Sequence, residues 1–404
     1  MEALLLRVNT PRFLALRLLR PISPRFCYQG PFAAIGLADV PQPSLPSPQW
    51  VKIKTRLCGF CGSDLSLILM RDSPTASPFT SFPCVPGHEV CGWIVETGAE
   101  AGDLEEGDFV TIAPMLNCTT RGIAPECCSC REGRPASCEN FARGNFSPGM
   151  FAGLCRDING GFAPYLVAHR SQVYRVPSRV SPEAATLTEP LAVALQAVLD
   201  NLPSNREKVL VIGGGVIGSL VVKVIRALDI GCDITVVEPS PFHAGYIKDC
   251  GADRVINGGI MEAGVNITGA RAYKPLLGEK LLMGGFDRVY DIVARTPTLN
   301  TALRVTTAGG TISVVGIGKE VKLDLTPLWL KIQTIKGSYA YGYNKTREGP
   351  KHAFRMALQM MACGKIHVAD MLTHKFPLRD YRKMIEINRN KAAHNAIKTA
   401  VSFE

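Results

Sequence analysis

The chain has 404 residues, a formal net charge of +10, and a composition that is 46% hydrophobic and 20% charged. That length is too great for one small core, so two domains are expected, with the composition of a soluble globular protein. The longest near-apolar run, Val209 to Val222, is fourteen residues and too short to span a membrane.

Charge is concentrated early. Residues 1–60 hold eight Lys/Arg against two acids, and so supply +6 of the +10. An Arg-rich, acid-poor start is compatible with an organelle transit peptide. However, ADVPQPS (Ala38–Ser44) runs straight into the strand WVKIKTRLC (Trp50–Cys58), so we read the segment as a folded, basic edge of the first domain. No nucleic-acid motif or interleaved aromatics accompany the charge, so neither nucleic acid nor membrane is an expected partner. The field favours anionic ligands. Of fourteen cysteines, seven fall between Cys84 and Cys138, a local cluster that suggests metal more than scattered disulfides. A reducing, cytoplasmic setting is expected.

Residues 1 to about 185 are rich in Pro, Gly and Cys and read as irregular β structure. Within them LCGFCGSDLS (Leu57–Ser66) carries a CxxC, which by spacing is a redox pair, half a zinc site, or one working cysteine beside a packed one. The segment CTTRGIAPECCSCREGRPASC (Cys118–Cys138) places Cys127, Cys130 and Cys138 at metal-ligand spacing. Four thiolates suit a tetrahedral structural zinc. The fourth is Cys118 or Cys128, with Cys118 preferred because neighbouring side chains rarely converge on one ion. Cys61, His88, Glu89 and Glu189 form a second candidate set, of the thiolate, imidazole and carboxylate types that a catalytic zinc uses.

A helix is expected from Pro182 through EPLAVALQAVLD to Asp200. Strand and helix then alternate: VLVIG (Val209–Gly213), Val216–Leu228, DITVVE (Asp233–Glu238), Pro241–Cys250, FDRVYDIV (Phe286–Val293), TLNTALRVT (Thr298–Thr306) and GGTISVVGI (Gly309–Ile317). This alternation predicts a doubly wound parallel sheet. From about Gly342 mixed structure returns, with a helix at Lys351–Cys363. Gly213, Gly215, Val216, Ile217 and Gly218 fit G-x-G-x-x-G between a strand and a helix. Gly213 suits the turn, Gly215 the approach of a pyrophosphate, and Gly218 helix packing. Glu238 ends the next strand, where a carboxylate accepts hydrogen bonds from ribose hydroxyls and repels a 2′-phosphate. No arginine stands within five residues after it, so NAD is expected over NADP.

CGSD (Cys61–Asp64), GHEVCGWIVETG (Gly87–Gly98), the cysteine lobe, GGFAPY (Gly160–Tyr165), EPLAV (Glu189–Val193), the glycine loop, AGGTISVVG (Ala308–Gly316) and AIKTAV (Ala396–Val401) together resemble the zinc-dependent medium-chain dehydrogenase/reductases. The resemblance covers nearly the whole chain and leans towards the polyol and threonine dehydrogenase branch. It implies a GroES-like β-barrel catalytic domain, residues 1–190 completed by 341–404, and a Rossmann domain at 191–340. It also implies a zinc- and NAD-dependent interconversion of a small secondary alcohol, polyol or hydroxy amino acid with its carbonyl, in a homodimer or homotetramer. Cys61, His88 and Glu189 match the catalytic zinc ligands, and Glu89 a carboxylate able to join them. Asp64 matches the acid that orients the histidine, Ser63 the hydroxyl that takes the alcohol proton, and Lys398 a contact to the cofactor phosphates.

The sequence departs from the family where a relay histidine is usual, having Ser66, and has Gln196 where a histidine often follows EPLAV. The gap from Cys118 to Cys127 is long, and residues 20–33 look inserted. Cys58 is read as a packed bystander to Cys61. Ser66–Ser81 and Asn145–Asp157 are expected to line the substrate pocket. Two other functions are compatible with parts of the pattern: a zinc-independent NAD(P)H reductase of activated alkenes, and a non-catalytic nucleotide- or zinc-binding protein.

Overall fold

The computed structural model describes residues 1–316 and 320–404, which divide into two units: Met1–Glu189 with Tyr341–Glu404, and Pro190–Ala340. The first begins with an antiparallel pair, β1 (Glu2–Leu6) and β2 (Ile35–Asp39), linked through helix α1 (Thr10–Leu19). Asn9 caps α1 by accepting the Arg12 N–H, and Pro11 fits its first turn. Irregular β structure was expected here; the helix has exposed Leu14 and Leu18 as well as buried Leu16, so it lacks a one-sided apolar stripe. Ala3, Leu4, Leu6, Leu16, Cys27 and Tyr28 are buried in the unit's core.

The central strand is β3 (Trp50–Phe60), followed at once by α2 (Gly62–Ile68), with β4 (Glu89–Thr97), β5 (Phe109–Ile112), the short α3 (Cys128–Arg131), β6 (Tyr165–His169) and β7 (Val173–Arg175) after it. Arg20 donates to the Leu69 and Met70 carbonyls, so the N-terminal segment caps the C-terminal end of α2. The single helix expected over 182–200 is two, α4 (Pro182–Thr186) and α5 (Thr188–Asp200), with a break at Leu187. Pro190 has no N–H to continue the ladder and is tolerated in a first turn, so the helix restarts there. The restart puts Glu189 at the buried beginning of α5.

In the second unit β8 (Lys208–Ile212), α6 (Val216–Ala227), β9 (Asp233–Val237), α7 (Pro241–Asp249) and β10 (Arg254–Ile256) follow the expected alternation. Helix α8 (Ile260–Thr268) and a hairpin, β11 (Arg271–Tyr273) with β12 (Leu281–Met283), precede β13 (Phe286–Asp291), α9 (Thr296–Val305), β14 (Thr306–Val314), α10 (Thr326–Leu330) and β15 (Thr334–Gly337). Six strands form one parallel sheet in the order β10-β9-β8-β13-β14-β15, the doubly wound arrangement expected. Ile317, the last residue of the expected strand GGTISVVGI, lies outside the described residues. Lys331 is buried here and donates to the Leu282, Arg304 and Thr306 carbonyls, tying the hairpin to α9 and β14.

The chain then returns to the first unit through the hairpin of β16 (Tyr343–Thr346) and β17 (Gly349–His352), α11 (Ala353–Ala362), β18 (Leu372–Pro377), α12 (Tyr381–Arg389) and β19 (Lys398–Ser402). The resulting sheet runs β18-β19-β3-β4-β5-β7, with β6 also paired to β3. Strand β3 therefore lies between the early β4 and the last strand of the chain.

Leu4→Ala removes a side chain with no exposed surface and is expected to cost about 2–5 kcal/mol, read as a lower denaturant midpoint. Burial lowers the Lys331 pKa from 10.5 to about 8. Between these values the unfolded chain binds more protons than the folded one, so stability should rise as pH goes from about 8 to 10.5. That rise should shrink in Lys331→Met, as followed by urea unfolding across the window.

Candidate active site

Antiparallel register brings the first set of residues together. Gly59 at the end of β3 faces Glu89 at the start of β4, so Cys61, just beyond β3, meets His88, just before β4. On the other side β19 places Thr399 opposite Phe60, bringing the neighbouring Lys398 to the same end. Candidate ligand atoms of Cys61, His88 and Glu89 lie within 4.8 Å of one another. Lys398 forms an ion pair with Glu89, and both residues are buried. Gly59 makes the crossing possible: a Cβ there would lie 2.1 Å from Glu89 Oε2 and 3.0 Å from Lys398 Cε.

Helix α2 supplies the next layer. Asp64 Oδ2 accepts the Cys61 N–H at 2.9 Å, and Oδ1 lies 3.5 Å from His88 Nδ1. Ser63 Oγ is 3.4 Å from His88 Nε2. Burial disfavours the His88 cation, but Asp64 and Cys61 outweigh it and hold its pKa well above the ordinary value. Glu189 stands outside the group within 4.8 Å, though it interacts electrostatically with His88, Glu89 and Lys398. Burial first, and Glu89 next, push its carboxyl up to about 7, against the opposing pull of His88, Lys398 and a hydrogen bond from Tyr341. Ser66 is buried one turn along α2 from Ser63.

These residues fit a divalent cation. Cys61, Asp64, Glu89 and Glu189 supply more negative charge when ionised than Lys398 offsets, and buried Glu89 Oε1 has no hydrogen-bond partner. The mix of thiolate, imidazole and carboxylate suits zinc. Lys398, which the resemblance assigned to the cofactor phosphates, is buried and ion-paired with Glu89. Three contributors escaped the sequence reading. No motif gave Gly59 or Tyr341 a role. Phe151, whose ring centroid is 4.9 Å from that of His88, lay inside the segment Asn145–Asp157 but carried no individual signal. Cys58 is fully buried, with Gly87 and Gly161 so close that a Cβ on either would lie 2.7–2.8 Å from its sulfur. Burial raises its thiol pKa well above the ordinary value, as befits a packed, inert cysteine.

In the lobe, Cys118, Cys127, Cys130 and Cys138 converge within 4.8 Å, whereas Cys128 is exposed with its thiol on Glu132. The Cys118–Cys138 and Cys127–Cys138 sulfurs are 3.7 and 4.0 Å apart. Sulfurs at tetrahedral corners about 2.3 Å from zinc would stand roughly 3.8 Å apart. Amide donors also point at the sulfurs: Cys127 N and Asn140 Nδ2 at Cys118, Glu139 N at Cys127, and Asn140 N at Cys138. Such donors stabilise thiolates. The cluster fits a structural zinc with Cys118 as the fourth ligand.

In the second unit Gly213 has φ +107° and turns the chain, while Gly215 begins α6 with nothing within 4 Å of a Cβ position. A Cβ on Gly218 would lie 1.9 Å from the Gly213 carbonyl, so the helix start packs on the turn only with glycine. Val216 and Ile217 form the first turn of α6, whose free N–H groups suit a pyrophosphate. Glu238 accepts from Gly214 N at 2.9 Å and Ser240 N at 2.8 Å, which fixes its carboxylate beside the loop.

One β-sheet unit has two sets of residues able to hold a metal, and the parallel-sheet unit has a glycine loop suited to a dinucleotide. Residues 47–178 match the alcohol dehydrogenase GroES-like domain and residues 216–363 the zinc-binding dehydrogenase domain. The chain belongs to the zinc-containing medium-chain dehydrogenase family, oxidoreductases that act on CH–OH groups. It is 28% identical to an L-idonate 5-dehydrogenase of Vitis vinifera, over 88% of each chain. It is 29% identical to an L-threonine 3-dehydrogenase of Pyrococcus abyssi, over 87% of this chain and 90% of that one. A solved zinc-binding dehydrogenase from Sinorhizobium meliloti, bound to NADP, shares 26% identity with a TM-score of 0.71, covering 91% of this chain and 96% of the other.

Metal analysis separates the cysteines. Cys58→Ala and Cys128→Ala should keep the zinc content of the parent, whereas Cys61→Ala and Cys118→Ala should each lose about one zinc per chain.

Proposed function

We propose that this protein oxidises a polar secondary alcohol, a polyol or hydroxylated amino acid, to its ketone, with NAD as hydride acceptor and zinc held by Cys61, His88 and Glu189. Glu89 is the alternative carboxylate beside them. The observation that carries the reading is the convergence of Cys61, His88 and Glu89 at the ends of β3 and β4, over the residues that orient them. When bound, zinc supplies the Lewis acidity that makes an alcohol ionise near neutral pH, and nicotinamide the site that accepts the hydride.

In this proposal Ser63 Oγ takes the alcohol proton, and Ser66, the next position on that face of α2, passes it towards solvent. Asp64 holds the His88 ring in one orientation through Nδ1. Phe151 covers one side of His88 and keeps water from that side. The relatives named for idonate and threonine support a hydroxylated, polar substrate.

Glu238 supports NAD, because its fixed carboxylate would meet a 2′-phosphate unfavourably. The NADP-bound relative from Sinorhizobium makes the cofactor comparison the informative one. We also propose a homodimer joined through β15, the exposed edge of the parallel sheet, beside exposed Trp329, Ile332 and Ile335. The fourteen free cysteines suit a reducing, cytoplasmic setting, which is part of the same proposal.

The test is reduced-cofactor absorbance over a panel of polyols, hydroxy amino acids and simple secondary alcohols, run with NAD and NADP on zinc-loaded protein. Turnover with NAD is expected, and Cys61→Ala should lower kcat/KM by roughly a thousandfold or more. Glu238→Ala should shift the NAD-to-NADP preference by on the order of tenfold towards NADP. No turnover with any substrate would overturn the reading. Alkene reduction that survives Cys61→Ala would favour a zinc-independent reductase instead.

A further inference from the structure

Arg121 lies in the long gap between Cys118 and Cys127. It has no exposed surface and is the only arginine among the fully buried residues described. Its fork is fully used, and every acceptor is a backbone carbonyl. Nε donates to Leu116 at 3.0 Å, Nη1 to Arg143 and Phe146 at 3.0 Å each, and Nη2 to Ser147 at 3.2 Å and Gly149 at 2.6 Å. No carboxylate forms an ion pair with it among the described residues.

The surroundings are built to receive this side chain. The Arg121 N–H is shared between the Asn117 carbonyl at 3.1 Å and the Cys118 carbonyl at 3.2 Å, so a cluster ligand and the arginine lie in one turn. Gly144 has φ +84°, and a Cβ there would lie 2.5 Å from the Arg121 carbonyl and 3.0 Å from its Cβ. The Arg143–Gly149 segment is therefore folded around the arginine.

A buried guanidinium without a counter-ion is costly, and carbonyl dipoles repay only part of that cost. The other lobe arginines are exposed and engaged elsewhere, Arg134 with Glu132 and Arg131 with the Glu126 carbonyl. Four thiolates around a zinc ion carry two net negative charges, in a lobe where Cys118 and Cys138 are buried. We propose that Arg121 is the buried counter-charge of the Cys118, Cys127, Cys130 and Cys138 zinc site, and that it holds zinc there by its charge as well as by anchoring residues 143–149. Burial lowers the Arg121 pKa, and the negative groups that oppose the shift are Cys155 first, then the cluster ligand Cys138, then Asp157. The inference rests on the reading of the lobe as a zinc site.

The experiment uses the full chain carrying Cys61→Ala, so that only the lobe holds zinc. Zinc content is measured first, and then the rate of zinc transfer to a colorimetric chelator. Arg121→Lys, assayed at about pH 6.5 so that a buried lysine keeps its proton, retains the charge and loses the fork; Arg121→Gln and Arg121→Met lose the charge. The Lys variant should release zinc within about threefold of the parent rate, and the Gln and Met variants about tenfold faster or more. A neutral imidazole in place of one thiolate removes a negative charge, so adding Cys127→His to Arg121→Gln should slow release again, or restore soluble zinc protein if Arg121→Gln alone does not fold. Equal release by the Lys and Gln variants, or no rescue by Cys127→His, would overturn the counter-charge role. Absence of zinc from the parent would instead overturn the zinc reading of the lobe.

Discussion

The first unit is organised around one crossing. Strand β3 lies between β4 and β19, and at its end the side chains of Glu89 and Lys398 reach across it from either side to form a buried ion pair. A side chain on Gly59 would occupy the same space, so glycine is a geometric requirement there. The pair also has an electrostatic reason. A lone buried carboxylate would be protonated or expelled, and a lone ammonium deprotonated. Burial lowers the Lys398 pKa, but Glu89 and Cys61 reverse the effect and leave it raised. The last strand of the chain thus sets the charge of a cluster whose other members come from its first ninety residues and from α5.

This dependence explains what was legible in the sequence. The parallel sheet could be read because buried strands and the glycine loop are local patterns, and because Gly213, Gly215 and Gly218 each answer a local steric demand. The ligand types were legible as well, since CGSD, GHEV and the cysteine lobe are compact. Cys118 could be preferred to Cys128 because neighbouring side chains rarely converge on one ion, and the structure gathers Cys118 with the other sulfurs while exposing Cys128. The rest of the geometry was not legible. The destination of Lys398 depends on which strand β19 joins, a pairing across more than three hundred residues that no local pattern encodes. Helix α1 escaped for a different reason: with Leu14 and Leu18 exposed, its apolar residues do not trace one face. The break at Leu187 was written in Pro190, but the periodicity of EPLAVALQAVLD on both sides conceals it.

Among the described residues three lysine or arginine side chains are buried, and the fold treats them differently. Lys398 has a carboxylate. Lys331 has three carbonyl oxygens, and its pKa falls to about 8. Arg121 has five carbonyl oxygens. Carbonyl groups solvate a cation without cancelling its charge, so the field of Arg121 stays available to whatever anion lies near, while that of Lys398 is largely spent on Glu89. A lysine solvated only by carbonyls can relieve the cost by losing its proton; an arginine cannot do so at any ordinary pH. An arginine at position 121 therefore commits the lobe to a permanent positive charge, and the natural place for its compensation is the four-sulfur cluster one turn away.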